Sequence, residues 1–164
     1  MPILQKSLVA LFLLVITQIV YAATITGSLP VTASVINNCV LGSITSVAFG
    51  NYDPTSTTPN NNTGSIVVTC TSGDVYNIGL NAGTFAGATV TTRRMTGPSA
   101  GGLAYALFRD AGRTLNWGVT IGTDTLQQTG TDLPQTATVF GQISPLQAVI
   151  AGSYADTVGI TVTF

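Results

Sequence analysis

Residues 154–164 read Tyr-Ala-Asp-Thr-Val-Gly-Ile-Thr-Val-Thr-Phe, and this alternation is the clearest structural signal in the chain. Apolar and small polar residues take turns, which is the period-2 pattern of a β-strand with one buried face. Asp156 is the charged residue on the apolar face, so we expect a loop amide or an arginine to satisfy its carboxylate. Tyr154 resembles a tyrosine corner, in which the hydroxyl bonds a nearby backbone group. The predicted inward-facing residues are Tyr154, Val158, Ile160, Val162 and Phe164.

The same alternation occupies residues 24–35, near the other end of the chain. Threonine, serine and Pro30 fill the polar face of this segment. Proline has no amide hydrogen to give to a β-ladder, so Pro30 must face outward or mark a break in the strand. The opposite face carries Ile25, Gly27, Leu29, Val31, Ala33 and Val35.

Between these two segments the chain reads as a series of short strands. It is rich in threonine and valine, whose branched side chains suit a pleated sheet. Clusters of Asn, Asp, Gly and Pro separate the strands, and no segment shows a sustained helical period. The sequence therefore predicts one all-β domain, an immunoglobulin-like sandwich. The predicted inner strands lie near Val47–Phe49, Ser65–Cys70, Val75–Asn81, Thr91–Thr96, Leu103–Arg109, Leu115–Trp117 and Thr136–Ile143.

Residues 1–22 have the pattern of a secretory signal peptide. Lys6 precedes an apolar run, residues 8–16, and Val20 and Ala22 fit a cleavage site for small residues. The run is too short to span a bilayer, which needs about 20 apolar residues. A membrane anchor is the alternative interpretation. We expect cleavage after Ala22 and export of the mature chain.

The chain contains two cysteines, Cys39 and Cys70, and both belong to the predicted mature part. In an oxidising compartment two cysteines without competitors should form a disulfide. The alternatives are two buried free thiols or one reactive thiol, although no histidine is present to activate a nucleophile. We predict a disulfide between Cys39 and Cys70.

The composition excludes several classes of function. Only 7% of the 164 residues are charged, the formal net charge is −1, and histidine and glutamate are absent. A nucleic-acid-binding protein needs a basic surface to neutralise phosphates, which this chain lacks. Without histidine and glutamate, most metal sites and the usual general bases are missing as well. We therefore predict no enzymatic activity, no catalytic, metal or cofactor site, and no nucleic-acid partner.

The patterns near the two ends of the chain predict an uncovered sheet edge at one end and an apolar, strand-like segment at the other. Phe164 is the last residue and also the last inward position of its strand, so we expect nothing to cover the adjoining sheet edge. At the other end, residues 24–35 form an apolar, strand-like segment. Strand edges with an apolar face are templates for pairing with another chain. The pattern alone leaves two possibilities open: this segment completes its own sandwich, or it pairs with another molecule.

The mature chain resembles the spore coat protein U family, which includes the pilin subunits of the archaic chaperone–usher pathway. The resemblance rests on the order and spacing of short motifs along the whole mature chain. They include Phe-Gly-Asn-Tyr-Asp-Pro at residues 49–54, Tyr-Asn-Ile-Gly-Leu at 76–80, Leu-Ala-Tyr-Ala-Leu-Phe-Arg-Asp at 103–110, Val-Phe-Gly-Gln-Ile at 139–143 and Gly-Ser-Tyr-Ala-Asp-Thr-Val at 152–158.

The resemblance implies an incomplete immunoglobulin-like fold that lacks its last strand. In such pilins a periplasmic chaperone lends a strand first, and the N-terminal extension of another subunit then replaces it. For this chain, residues 23–36 are the implied donor segment running into the first strand, and residues 37–164 the implied pilin domain. The inward residues of the last strand line the implied acceptor groove. The implied partners are identical or related subunits, a periplasmic chaperone and an outer-membrane usher.

We therefore predict a structural subunit of a surface fibre, polymerised by donor-strand complementation and supporting adhesion and biofilm formation. One alternative is a binding module of the adhesin type. The resemblance implies that tip proteins carry an additional receptor domain, for which the mature chain leaves no room. The other alternative is a self-complete secreted coat protein that does not polymerise.

Overall fold

The computed structural model describes residues 21–164. The predicted signal peptide, residues 1–22, lies outside the described residues except for its last two positions. In the described range no helix is long and apolar enough to cross a membrane.

Residues 21–164 form nine β-strands. These are β1 (Cys39–Thr45), β2 (Asn60–Cys70), β3 (Val75–Leu80), β4 (Arg94–Met95), β5 (Leu103–Ala104), β6 (Ala106–Phe108), β7 (Leu126–Thr129), β8 (Gln135–Ile143) and β9 (Ile160–Thr163).

The strands form two main antiparallel sheets. The first has the strand order β1-β2-β8-β6, and the second has the order β7-β3-β9. Strands β4 and β5 make a separate two-stranded ribbon. Because β1 and β9 are each at an edge of their sheet, both sheets are open. This architecture confirms the predicted all-β sandwich.

The central pair of strands shows why the alternating pattern produces this fold. Along β2, Ile66, Val68 and Cys70 are buried, and the residues between them are partly exposed. Along β8, Ala137 and Val139 are buried in the same alternation. Fully burying a large aliphatic side chain stabilises the fold by about 1.5–3 kcal/mol. The remaining members of the core are Tyr76, Ile78, Leu80, Leu103, Tyr105, Leu107, Trp117 and Ile143.

Arg93 is fully buried and holds several loops together. Its guanidinium group donates to four backbone carbonyls at 2.7–2.8 Å. Burial disfavours the charged form and lowers the pKa of Arg93. The hydrogen bonds compensate for this cost because each carbonyl dipole points its negative end at the cation. The accepting residues are Leu80, Asn81, Val90 and Trp117.

Two predicted strands are shorter than the sequence indicated. The predicted strand Leu103–Arg109 is divided at Tyr105, because β5 pairs with β4 and β6 pairs with β8. The chain thus passes from one sheet to another within a single apolar run. The predicted strand Thr91–Thr96 is reduced to Arg94–Met95. It is preceded by a turn in which the Thr92 amide donates to the Thr89 carbonyl at 3.0 Å, and Thr96 bridges to Ala155 instead of joining β5.

Two other predicted strands are not formed: residues 47–49 are a loop, and residues 115–117 make only an isolated antiparallel bridge, between Asn116 and Phe108. Their apolar side chains nevertheless reach the core: Val47 and Phe49 pack against it, and Trp117 is fully buried. The Trp117 indole nitrogen donates to the carbonyl oxygen of Ile78 at 2.8 Å. An apolar side chain can therefore be buried from a segment whose backbone forms a single bridge or none.

Strands β1 and β7 were not predicted from the sequence. In β1 the pairing register shifts between Leu41 and Ile44, and this irregularity breaks the period-2 pattern. Strand β7 is short, with only four residues, and most of them are polar. At the other end, the alternating residues 154–164 form a strand only over Ile160–Thr163, because Ala155 bridges to Thr96 of a different segment.

The chain divides between Ser34 and Val35 into two units. In the first unit, the described residues 21–34 contain no strand, and their side chains are exposed. A β-strand needs a neighbouring strand to pair with its backbone groups, so an alternating sequence alone does not form a β-strand. In the second unit the first strand begins at Cys39.

Candidate functional site

Part of the hydrophobic core is uncovered along β1. The register pairs Leu41 with Val68 and Ile44 with Ile66, so the two members of each pair point to the same face. Val68 and Ile66 are 0% and 2% exposed, but Leu41 and Ile44 are 45% and 55% exposed. The inner face of β1 is therefore left half open by the elements that the structure describes.

Strand β9 borders the uncovered area on the opposite side. Its residues Ile160 and Val162 pair with Leu80 and Ile78 of β3. The two β3 side chains are buried, whereas Ile160 and Val162 are only partly buried. Because β9 is the last strand of its sheet, one side of its backbone has no ladder partner within residues 21–164. Both borders thus combine inward apolar side chains with an unpaired backbone edge.

A groove of about 940 Å³ lies between these borders. The chain that follows β1 forms one wall, and residues 149–160 form much of the other. Core side chains line the floor, where the rings of Phe49 and Tyr105 meet edge to face with centroids 6.4 Å apart. The groove is therefore an opening into the core. Its floor residues are Ile66, Leu80, Leu103, Tyr105, Leu107, Val139 and Ile143.

Asp156, which lines the groove, is fully engaged by hydrogen bonds. The Tyr105 hydroxyl donates to its Oδ2 at 2.6 Å, and the Thr84 amide and hydroxyl donate to its Oδ1 at 2.8 and 2.7 Å. Burial alone raises the pKa of this carboxyl, but these hydrogen bonds outweigh it, and the net pKa of Asp156 is lowered. Burial and the bond to the carboxylate raise the pKa of Tyr105. The carboxylate is thus a structural acceptor, satisfied partly by a loop amide.

Tyr154 fixes the segment that forms the second wall. Its hydroxyl oxygen lies 2.8 Å from the carbonyl oxygen of Ile150 and 2.8 Å from the Ser99 Oγ. Its ring packs on Gly97 so closely that a Cβ there would be 2.3 Å from a ring carbon. These contacts hold the wall against the ribbon of β4 and β5.

Three of the five predicted acceptor residues line this groove. Tyr154, Val158 and Ile160 line it. Val162 packs against the core beside it, and Phe164 is 54% exposed and is not among the lining residues. The opposite wall was not predicted, because it consists of the irregular end of β1 and the loop after it, and neither has a regular period. The missed lining residues include Ile44, Val47, Phe49 and Tyr52.

The predicted donor residues are exposed. Ile25 is 100% exposed, and Leu29, Val31 and Val35 are each 87% exposed. Gly27 and Ala33, the small residues of the same alternating face, are also exposed. Such a row of large apolar side chains in water is costly, since each could contribute about 1.5–3 kcal/mol if it were buried.

The predicted Cys39–Cys70 disulfide is confirmed. The residues just before it are also attached to the sandwich. The Asn38 amide donates to the Thr71 Oγ1, and the Thr71 amide donates to the Asn38 carbonyl, both at 3.0 Å. One residue earlier, the Asn37 side-chain amide donates to the Asp74 Oδ1 at 2.8 Å. Residues 37–39 are therefore an anchored point of the sandwich.

The groove has the properties of a strand-binding site. Its lining is mainly apolar and includes Ile44 and Thr45 at the end of β1 and Ile160 at the start of β9, two strands whose outer backbone edges are unpaired within residues 21–164. An amphipathic strand could bury alternate side chains in it and bond to those edges, which is the β-augmentation mode of recognition. Among residues 21–164, no group of three or more His, Cys, Asp or Glu side chains is placed to hold a metal ion.

Comparison with known proteins gives consistent matches. The family model of the Spore Coat Protein U domain matches residues 25–161. Protein U of Myxococcus xanthus is 37% identical over 156 residues, covering 87% of each chain. The crystal structure of the CsuC–CsuE chaperone–tip adhesion subunit pre-assembly complex, from archaic chaperone-usher Csu pili of Acinetobacter baumannii, contains a chain with a TM-score of 0.57 at 21% identity.

That structural match covers 79% of this chain and 40% of the other, and it shows a shared fold. The crystal structure of the P pilus rod subunit PapA also matches, with a TM-score of 0.47 at 16% identity over 72% of this chain and 90% of that one.

Proposed function

The chain belongs to the Spore Coat Protein U domain family, and on this premise we propose that it is a structural subunit of a surface fibre built by donor-strand complementation. In this proposal each subunit inserts residues 25–35 into the groove of the next subunit. The observation that carries the proposal is the groove between β1 and β9, which opens the core to solvent along two unpaired strand edges.

The N-terminal segment has the pattern that such a groove requires. Four aliphatic side chains lie on one face, and burying them at about 1.5–3 kcal/mol each sets an upper bound of roughly 6–12 kcal/mol. Ladder hydrogen bonds to the two edges add about 1 kcal/mol each. Ordering the strand and losing rigid-body freedom offset part of this gain. The four residues are Ile25, Leu29, Val31 and Val35.

The inserted strand runs antiparallel to β9. Every strand pair of the two main sheets is antiparallel, and antiparallel ladders are slightly more stable per residue. Strand β9 begins at Ile160 beside Leu80 and ends at Thr163 beside Asn77. An antiparallel donor therefore leaves the groove with Val35 at the Ile160 end. Glycine at position 27 fits a shallow point, and Pro30 faces outward.

The donor and the groove are different surfaces of one chain, so the contact is head-to-tail and produces an open fibre. The proposal includes a periplasmic chaperone that covers the groove before assembly and an outer-membrane usher that exports the fibre. At the cell surface the fibre supports adhesion and biofilm formation. The family membership supports this proposal, as does the fold shared with a structure from chaperone-usher pili.

Electrophoresis of surface material tests the proposal. A fibre held by inserted strands gives a ladder of multimers when unboiled and a single monomer band after boiling. Leu29→Asp places a charge on the inserted face and should abolish the ladder, whereas Ser28→Asp places the same charge on the outward face and should keep it. If wild-type material gives no ladder, or if both variants behave alike, the donor assignment is wrong.

A secreted coat component is the second candidate, and the description of the family as a spore coat domain favours it. A coat monomer that completes its own fold gives no ladder in the same experiment.

A further inference from the structure

We propose that consecutive subunits also contact each other end to end, through Leu133 of one copy and Leu146 of the next. This inference rests on the proposed function, because it concerns how two subunits joined by an inserted strand sit against each other. It adds a second interface, made of residues outside both the donor segment and the groove.

The first argument is the length of the connection. The last inserted side chain is Val35, and residues 37–39 are anchored by the bonds to Thr71 and Asp74 and by the disulfide. Ile36 is then the only free residue between the two subunits. One extended residue spans about 3.5 Å. The end of the sandwich that holds Cys39 must therefore lie against the end of the neighbouring sandwich from which Val35 emerges.

The strand register identifies these two ends. Val68 pairs with Gln135, and Asn60 pairs with Ile143, so β2 and β8 run the length of the sandwich side by side. The end that holds the start of β8 also holds Cys39 and Cys70, and we call it the root end. Strand β3 starts at Val75, close to Cys70, and ends at Leu80, which pairs with Ile160. Ile160 therefore lies at the end of the sandwich that holds Ile143, and we call it the far end. In the fibre the root end of one subunit faces the far end of the next.

At the far end, a fixed turn presents Leu146 to solvent. Leu146 is 61% exposed and has a φ of +58°, a left-handed conformation that is unfavourable for leucine. The next residue, Gln147, holds the turn in place. Its side chain bonds the amide and the carbonyl of Ala104 at 2.9 and 2.8 Å, and its own amide donates to the Tyr52 hydroxyl at 2.9 Å. The structure thus maintains an exposed apolar side chain on a rigid, strained turn.

At the root end, a similar turn presents Leu133. Leu133 is 67% exposed, and it follows Asp132, which has a φ of +61°. The Asp132 amide donates to the Cys70 carbonyl at 3.0 Å, and its carboxylate accepts from the Ser72 amide at 2.9 Å. Leu133 is thereby fixed next to the disulfide, on the end of the sandwich that faces the far end of the neighbouring subunit.

The two leucines cannot meet within one molecule. They flank the nine residues of β8, and at about 3.3 Å per residue this strand alone separates them by more than 25 Å. A contact between them therefore requires two copies of the chain. The contact is heterologous, so it repeats along the fibre.

Cysteine cross-linking in assembled fibres tests this contact. The double variant Leu133→Cys with Leu146→Cys is assembled and mildly oxidised. Because a disulfide needs Cα atoms within about 7 Å, only an end-to-end contact can form it. We expect the ladder of the double variant to survive boiling without reductant and to collapse with reductant. The matched control, Leu115→Cys with Leu146→Cys, should collapse on boiling, because Leu115 is exposed but lies near Phe108, beside the middle of β8.

The outcomes separate this inference from the proposed function. If the oxidised double-cysteine variant gives a ladder when unboiled but only monomer after boiling, the end-to-end contact is wrong. The proposal of an inserted strand is not contradicted by that result. Absence of any ladder in the wild type overturns both.

Charged variants give a second test if the cysteine variants assemble poorly. Leu133→Lys or Leu146→Asp alone should lower the temperature at which the ladder collapses, and the two together should restore it. A collapse temperature that is unchanged in both single variants contradicts the contact.

Discussion

The Cys39–Cys70 disulfide joins the first residue of β1 to the last residue of β2. Strand β1 has a ladder partner on one side only, and six of its seven residues are exposed. Strand β2 is paired on both sides. In the proposed fibre, tension on the N-terminal segment would reach the sandwich at residues 37–39, and the disulfide would transfer it to the better-supported strand β2. The bond would therefore keep the first residue of β1 attached to β2 under such a load.

Removing both sulfur atoms should lower stability and yield. The disulfide joins residues 31 positions apart. In the chain-entropy model, closing a loop of this length contributes about 3–4 kcal/mol to the free energy of unfolding. We expect Cys39→Ser with Cys70→Ser to lower the free energy of unfolding by that amount in urea titrations, and to reduce the amount of protein recovered from the periplasm. Wild-type protein treated with reductant is the matched comparison. Equal stability and equal recovery would show that the disulfide has no structural role.

Arg93 should be much less tolerant of substitution than its neighbour Arg94. Arg93→Met removes the donor from four backbone carbonyls, two of them buried and two partly buried, and each unsatisfied buried group costs about 1–3 kcal/mol. Arg94 donates to Gly101 at an exposed position, so Arg94→Met should change the free energy of unfolding by less than about 1 kcal/mol. Urea denaturation of the two variants compares them. A similar loss in both would contradict the role assigned to Arg93.

Asp156 should make stability depend on pH in the acid range. Its pKa is lowered on folding, so its ionised form stabilises the native state above the unfolded value of about 3.9. That contribution is lost as the pH falls through the lower, folded value. Asp156→Asn should reduce the melting temperature at pH 7 and should show a smaller further decrease than the wild type between pH 5 and pH 2. Parallel curves for the two proteins would argue against the carboxylate network.

The sequence predicted the fold class because burial along the two central strands of the first sheet follows the alternation of apolar residues. In β2 and β8 the alternating residues are buried as the pattern requires. The disulfide could be predicted because Cys39 and Cys70 had no competitors. Local pattern was sufficient for the apolar half of β2, predicted as Ser65–Cys70, but not for its polar half, residues 60–64, which pair with β8 without an alternating apolar pattern.

The rest depended on contacts between distant parts of the chain. The wall formed by Val47, Phe49 and Tyr52 has no period, because its side chains reach the core from a loop. The division of an apolar run at Tyr105 depends on which sheet each half joins. The buried position of Arg93 depends on carbonyls from three other segments, and the sequence of residues 91–96 carries no sign of them.

The central claim is that the groove between β1 and β9 is filled by another copy of this chain. An electron-microscopy structure of assembled material tests it most directly, because it follows residues 25–35 from Cys39 to wherever they bind. We predict continuous density that leaves one sandwich at Asn37 and lies antiparallel to β9 of the neighbouring sandwich, with Leu29 and Val31 pointing at its core. Density that instead turns back and fills the groove of the molecule it came from would contradict the account.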